Sequence, residues 1–298
     1  MVSSYYYPFT VPRLSSFRLH PFMTEISMSK DTLRQYANLL SVILALTVNV
    51  LASVLPLNGQ NTGEISDRFR VYFVPAGYVF SIWGIIYIGW IAFTIFQFLP
   101  SQKENPRLRR LGYLFAISNV LNAAWLFCWH YNLFGLSVLV MLALLGLLIA
   151  SYLRLDVNRS SATGSEYWCV DVVFSIYLGW ITVATVANIT DLLYFVGWGG
   201  FGIPAQSWAV IMLAVASLLG LAMALTRRDV GYLAVLVWAF AGIAVKQAPA
   251  PSVVLSAWVA ALLMFGLALF SLIRQGPQIK RGGGERERMK DERGERGR

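Results

Sequence analysis

The fold is decided first by residues 133–153, LFGLSVLVMLALLGLLIASYL, a stretch with no charged side chain. The hydrocarbon core of a bilayer is about 30 Å thick and an α-helix rises about 1.5 Å per residue, so one crossing takes roughly 20 apolar residues. The stretch also lacks the strict alternation of apolar and polar residues that is typical of membrane barrels. It therefore predicts a transmembrane helix, which satisfies its own backbone hydrogen bonds in lipid.

Similar apolar stretches recur along the whole chain. The sequence is 57% hydrophobic and only 13% charged, which is too apolar for a soluble domain with a polar surface. We therefore predict an all-α, polytopic membrane helix bundle with about eight transmembrane helices. Their approximate bounds are 36–57, 72–99, 111–131, 133–153, 167–188, 207–226, 230–247 and 252–273.

The basic residues are distributed unevenly between the predicted connections. With a cytoplasmic N-terminus, all but three of the 24 Lys and Arg residues fall on the cytoplasmic side, and the exceptions are Arg68, Arg70 and Lys246. Such a bias sets membrane orientation and predicts that both termini are cytoplasmic. It also explains the net charge of +9 without nucleic acid, which we do not expect as a partner.

The two ends of the chain differ from its apolar middle. Residues 1–33 are expected to form a disordered cytoplasmic segment without a secretory signal; the first 30 are either an organelle transit segment or precede a true start at Met23 or Met28. Residues 275–298 mix basic and acidic side chains and predict a disordered cytoplasmic tail. The concentration of Lys and Arg on one side of the membrane and the missing secretory signal favour a bacterial-type plasma (inner) membrane.

Few residues carry recognisable reactive chemistry. Cys128 and Cys169 are expected near opposite membrane faces, too far apart for a disulfide. The sequence has no metal-binding pattern and no constellation for hydrolysis, so we predict neither a metal site nor a catalytic residue, and an enzyme is not favoured. Asp171, near the cytoplasmic end of the fifth helix, is expected to reach water or Arg154.

The second helix contains PAGYVFSIWGIIY, residues 75–87. Pro75 is predicted in the first helical turn, where its missing N–H costs little. Trp83 and Tyr87 lie one turn apart and share a stripe. A deeply buried indole needs an acceptor or another ring, which makes Trp83 a candidate for a pocket wall.

The third and fifth helices repeat this combination of indoles and amides. They contain SNVLNAAWLFCWHY, residues 118–131, and FSIYLGWITVATVANITD, residues 174–191, where the small Gly179 is expected to leave space beside an indole. Carboxamides in hydrocarbon must find partners, so the asparagines of the first, third and fifth helices are predicted to face the bundle interior, either as contacts between helices or as ligand contacts. These are Asn49, Asn119, Asn122 and Asn188.

Together these three segments resemble the TspO/MBR family, the tryptophan-rich sensory or translocator proteins. Tyr177, Leu178, Trp180 and Asn188 match the family's fifth helix at the same spacing, and the second- and third-helix motifs match in order. The sequence departs from the pattern at Ala76, Tyr78, Ser118 and Ile176. The resemblance implies a TspO-like five-helix domain over residues 34–190, to which residues 191–274 add three helices.

The resemblance also implies a ligand site. Family members bind porphyrins and other flat hydrophobic molecules, and the tryptophans that match Trp83 and Trp180 line the pocket. No cofactor is required, but a porphyrin or haem-like tetrapyrrole is expected as a ligand. The ligand-binding residues expected in this chain are Trp83, Trp180, Tyr87, Asn122, Trp125, Tyr177, Ala184, Asn188 and Pro75.

The expected function is that of an integral membrane sensor or regulator that binds tetrapyrroles or similar flat ligands among helices one to five. Eight spans suggest the alternative of a secondary transporter for small hydrophobic molecules, and the paired indoles suggest light-dependent porphyrin degradation. The expected partners are membrane lipid and a small hydrophobic ligand. Whether the protein forms a homodimer is left undecided by the sequence. The last three helices either cover the face used for dimerisation in shorter relatives, form a new interface or serve transport.

Overall fold

The structure, a computed structural model, describes residues 29–55 and 57–274. Within these ranges every regular element is a helix and no strand is present, which confirms the all-α bundle. The predicted tail 275–298 and nearly all of the predicted N-terminal segment lie outside the described residues. The exception is residues 29–33, of which 30–33 are helical and not disordered as predicted; the Ser29 hydroxyl caps the first helix and accepts from the Thr32 N–H at 3.2 Å.

Within residues 29–55 and 57–274, eight main helices form the bundle. Six segments are long and apolar enough to cross a membrane, and two further apolar helices, α3 and α7, have 17 residues each, at the short end of the range for a span. The bounds are α1 Lys30–Val54, α2 Ile82–Phe98, α3 Leu114–His130, α4 Phe134–Leu155, α5 Val172–Phe195, α6 Ala205–Arg227, α7 Val230–Lys246 and α8 Pro251–Arg274.

The bundle has two ends, which we call the terminal end and the distal end. At the terminal end, where α1 begins and α8 ends, the Arg34 side chain donates to the Lys103 carbonyl at 3.1 Å. At the distal end, where α1 ends, the Asn58 side chain donates to the His130 carbonyl at 3.0 Å. Cys128 and Cys169 lie toward opposite ends and are both free, as predicted.

The second helix begins later than predicted. Residues 74–76 are not helical, a 3-10 turn covers Gly77–Ser81, and the α-helix starts at Ile82, so Pro75 precedes the helix instead of occupying its first turn. The cause is tertiary: the Ala76 N–H donates to the Gly242 carbonyl of α7 at 3.1 Å. We call residues 74–81 the entry segment.

The fifth helix extends beyond its predicted end. A π-helical turn, Tyr167–Asp171, leads into α5, which continues to Phe195. Asn188 therefore lies two turns inside the helix and not at its end. Some 72% of the most apolar window within Gly164–Phe195 is buried, against 28% for α6 and for α8, so α5 is the central element of the bundle.

Helix α7 joins the C-terminal helices to the rest of the fold. It packs against α5, α6 and α8 and also against the 3-10 turn of the entry segment. Close approach depends on glycine: a Cβ on Gly179 would lie 3.2 Å from the Val235 Cβ of α7. The small size of Gly179 therefore makes space for α7, and not for an indole as the sequence had suggested.

Buried charges at the terminal end are paired across helices. The Arg107 guanidinium donates to Asp171 at 2.6 Å, lies 3.1 Å from a Glu166 oxygen and donates to the Leu155 carbonyl at 2.9 Å. Asp171 is thus bound to Arg107, and the expected contact with water or Arg154 is wrong. The short helix Pro106–Leu111 carries Arg107 over the start of α5, which the position of Asp171 alone did not reveal.

Asp229 is a second buried carboxylate with full hydrogen bonding. It precedes α7 and accepts from the Tyr152 hydroxyl at 2.6 Å, the Ser175 hydroxyl at 2.7 Å and the Tyr232 N–H at 3.0 Å. Burial raises the pKa of Asp229, and the three donors oppose that rise. The residue therefore ties the start of α7 to α4 and α5.

Replacing Arg107 should destabilise the protein strongly. Arg107→Met would leave Asp171 and Glu166 buried without their partner, and breaking a buried pair in this way costs about 3–5 kcal/mol. The control is Arg109→Met, which removes an ion pair with Asp31 from a side chain that is 46% exposed and should cost about 0–1 kcal/mol. Unfolding in detergent measures both, and equal losses would contradict the assigned role of Arg107.

A methyl group at Gly242 should disturb the entry segment. A Cβ there would collide with Val79 and lie 3.2 Å from the Pro75 Cβ, so Gly242→Ala should lower the unfolding free energy by about 1–3 kcal/mol. Gly266→Ala in α8 is the matched control, because no atom lies within 4 Å of its added Cβ and alanine favours helix. Equal loss of stability in Gly266→Ala and Gly242→Ala would contradict this steric explanation.

Candidate functional site

The distal end is covered by a short helix, Thr62–Asp67. Asn61 and Glu64 cap it reciprocally, each side chain accepting from the other's backbone N–H at 2.9 and 3.0 Å. The cover is fastened to the bundle from two sides: Trp129 Nε1 donates to the Thr62 carbonyl at 3.3 Å, and the Lys246 ammonium lies 2.6 Å from Asp67.

Aromatic rings gather beneath this cover. The Trp83 and Trp180 rings meet edge to face with their centroids 6.3 Å apart, and Phe80 packs edge to face on Trp180 at 5.8 Å. Trp83 also stacks on Tyr87 at 5.8 Å. The two indoles that the sequence singled out therefore face each other, but they are in direct contact and no open space separates them.

The larger space lies on one side of these rings. This distal cavity has a volume of about 570 Å³ and is bounded by α1, the covering helix, the entry segment, α2 and α3. Its rim includes the exposed residues Asn61, Glu64 and Asp67. Its side walls include Asn49, Phe80, Trp83, Tyr87 and Trp125.

A smaller inner cavity adjoins it. Its volume is about 40 Å³, and it shares Thr62, Phe80, Trp83 and Trp125 with the distal cavity. Five aromatic side chains line it, together with polar groups of the covering helix and of α5. The aromatic residues are Phe80, Trp83, Trp125, Trp129 and Trp180, and the polar ones are Thr62, Ser66, Asn188 and Asp191.

The predicted ligand-binding residues divide between these spaces. Tyr87 lines the distal cavity, whereas Asn122 and Tyr177 are buried but line neither. The other six line the inner cavity: Pro75, Trp83, Trp125, Trp180, Ala184 and Asn188. The structure thus brings seven of the nine predicted residues to two adjoining cavities.

The asparagines face the interior, as predicted, and bind other helices. Asn49 of α1 donates to the Asn122 side chain of α3 at 2.8 Å and accepts from the Tyr87 hydroxyl of α2 at 2.7 Å. Asn188 of α5 accepts from Trp125 Nε1 at 3.0 Å and bonds Ser137 of α4. These bonds fix the walls of both cavities, and they hold Trp125 in its orientation.

Sequence reasoning missed Asp191, although it ends the fifth-helix motif. Asp191 lies one turn beyond Asn188 on the stripe that already holds Trp180 and Ala184, and it is only 2% exposed. The predicted fifth span ends at residue 188, before Asp191. Because α5 continues to Phe195, Asp191 lies instead inside the bundle, in the wall of the inner cavity.

A third cavity, which we call lateral, lies elsewhere at the distal end. Its volume is about 440 Å³, and it lies between residues 70–73, the last two turns of α5 and the start of α6. Trp198 and Trp208 line it with their ring centroids 5.3 Å apart, and Tyr72 and Tyr194 complete its aromatic wall. No residue of this cavity was predicted from the sequence.

Comparison with known families identifies the chain. The family model described as TSPO-like protein matches residues 35–270. The match continues through α6 and α7 into α8, whereas the motifs recognised in the sequence end near residue 190. Comparison with curated proteins and with solved structures gave no match. The match covers most of a chain that is built of long apolar helices, and this integral multi-pass membrane protein belongs to the TSPO-like protein family.

Proposed function

We propose that this protein is a membrane sensor or regulator that binds flat hydrophobic ligands, tetrapyrroles among them, in the distal cavity. The observation that carries the proposal is the position of Trp83, Tyr87 and Trp125 in the wall of a 570 Å³ space. Pockets for drug-sized ligands measure about 300–1,000 Å³ and combine apolar walls with a few placed polar groups. The distal cavity has such a volume, and its walls combine aromatic side chains with a nearly equal share of polar groups, most of them on the covering helix and its N-cap residue.

The polar groups of the cavity have defined roles in this proposal. The Tyr87 hydroxyl donates to the Asn49 side chain, which fixes the Tyr87 ring in the cavity wall. Trp83 stacks on one face of Tyr87, and the two rings form one aromatic wall of the cavity. Two stacked rings offer a flat ligand a large contact area at a low cost in side-chain entropy.

The cover supports ligand entry from the distal end. The helix Thr62–Asp67 buries Ile65 in the core, but its other contacts include single polar bonds, and its partly exposed ion pair between Asp67 and Lys246 is of a kind worth about 0–1 kcal/mol. Weakly held segments open most readily, and binding segments are drawn from them. The proposed route leads past this helix into the distal cavity.

Binding of protoporphyrin IX tests the proposal. In lipid nanodiscs, saturable binding should appear as a shift of the porphyrin absorption band, and removal of both indoles in a Trp83→Ala, Trp180→Ala variant should weaken it about tenfold or more. The absorbance of the ligand is the readout because these substitutions change the protein's own emission. A Trp83→Phe variant keeps a ring and should bind more tightly than the double variant.

The matched control removes two indoles from the lateral cavity. Trp198→Ala, Trp208→Ala should leave porphyrin affinity within about twofold, since neither ring lines the distal or inner cavity. The reverse pattern, with loss of binding in this control alone, would move the site to the lateral cavity. Wild-type protein without saturable binding would refute the proposed function.

A further inference from the structure

Asp191 is an exception among the buried acids. Within residues 29–55 and 57–274 the buried acids are Glu166, Asp171, Asp191 and Asp229, and three of them are paired: Glu166 and Asp171 with Arg107, and Asp229 with Tyr152 and Ser175. The Asp191 carboxylate makes no hydrogen bond or ion pair with any described residue, and its Oδ1 is fully buried.

Lys246 is a cation that influences Asp191 electrostatically but forms no ion pair with it. The ammonium of Lys246 acts on Asp191 only through space, because it lies 2.6 Å from Asp67 in the covering helix. A carboxylate buried without a donor costs several kcal/mol relative to water. Proteins tolerate such a cost chiefly at functional sites. The position of Asp191 therefore favours a partner that the chain itself does not supply.

The surroundings of Asp191 specify the charge of that partner. The inner cavity that Asp191 lines has walls of four indoles and one phenyl ring. The faces of aromatic rings carry negative potential and attract cations, and cages of such rings recognise alkylammonium groups. A carboxylate and an aromatic cage around the same space both favour positive charge, by two independent interactions.

The size of the inner cavity specifies the part of the ligand that it holds. At about 40 Å³ the inner cavity is far smaller than the ~300–1,000 Å³ of pockets for drug-sized ligands, so a tetrapyrrole does not fit in it but a small ammonium head group does. The adjoining 570 Å³ distal cavity shares Phe80, Trp83 and Trp125 with it. A ligand could thus place its flat body in one space and its head group in the other.

We propose that the inner cavity is a cation subsite in which Asp191 and the surrounding indoles bind the protonated amine of a flat hydrophobic ligand. This inference rests on the proposed function, since the ligand body lies in the distal cavity. Among flat hydrophobic ligands it favours those with a small alkylamine or amidine head group, whereas ligands without such a group, tetrapyrroles among them, bind in the distal cavity alone. Trp180 closes the inner side of the subsite, and Asp191 neutralises the head group.

A matched pair of probes tests the subsite. 1-Pyrenemethylamine and 1-pyrenemethanol have the same flat body and head groups of similar size, and at neutral pH only the amine is charged. In nanodiscs of zwitterionic lipid, the wild-type protein should bind the amine about tenfold or more tightly than the alcohol. Equal affinities for the two probes would overturn the inference without any variant.

Substitution assigns the preference to Asp191. Asp191→Asn keeps the shape of the side chain but removes its charge, so the affinity for the amine should fall to that for the alcohol, while the alcohol binds as before. Unchanged alcohol binding also shows that the variant is folded. Asp156→Asn is the control, because it removes one carboxylate at the terminal end, where Asp156 pairs with Arg227. It should keep the full preference for the amine.

The outcomes separate this inference from the proposed function. Saturable binding of protoporphyrin IX and of both pyrenes without preference would overturn the cation subsite and leave the distal cavity as the ligand site. A preference that persists in Asp191→Asn would likewise overturn the role of Asp191. If neither the porphyrin nor either pyrene binds saturably, the proposed function fails and the subsite fails with it.

Discussion

The interior of a membrane bundle offers no water to a polar group, so each buried donor or acceptor has to be paired inside the protein. This constraint explains the placement of α5, which belongs to the most buried of the six long spans. At the terminal end Asp171 is bound by Arg107, and in the distal half Asn188 is bound by Trp125 and Ser137. Since these bonds join α5 to neighbouring elements, they also orient the side chains around α5.

The same constraint singles out the distal site. Pairing is complete for Glu166, Asp171 and Asp229 but not for Asp191, and the Trp180 Nε1 beside the inner cavity is also buried without an acceptor. Departures from local consistency concentrate at functional sites because function there outweighs stability. Buried polar atoms without a partner also occur elsewhere in the described residues, at Asn38 and Ser271 for example, so it is the unpaired acid that distinguishes the proposed pocket.

The three C-terminal helices take part in the architecture of this site. In α7, the Gly242 carbonyl accepts a hydrogen bond from the Ala76 N–H, and the Trp238 indole donates one to the Val79 carbonyl at 3.0 Å. The entry segment, which carries Phe80 into both cavities, is therefore held by α7 as well as by α2. The family match over residues 35–270 includes these helices, which agrees with a single structural unit.

The sequence by itself determined the helical class, the approximate spans, the family and seven side chains that line the two cavities, because apolar length and helical spacing are local properties. Only the tertiary structure decided the rest. Pro75 leaves the helix because α7 offers a carbonyl to Ala76, and Gly179 faces α7 instead of an indole. Asp171 pairs with Arg107, 64 residues away, and Asp191 is enclosed because α5 runs on to Phe195. Each of these depends on contacts between residues far apart in the chain, which no local pattern encodes.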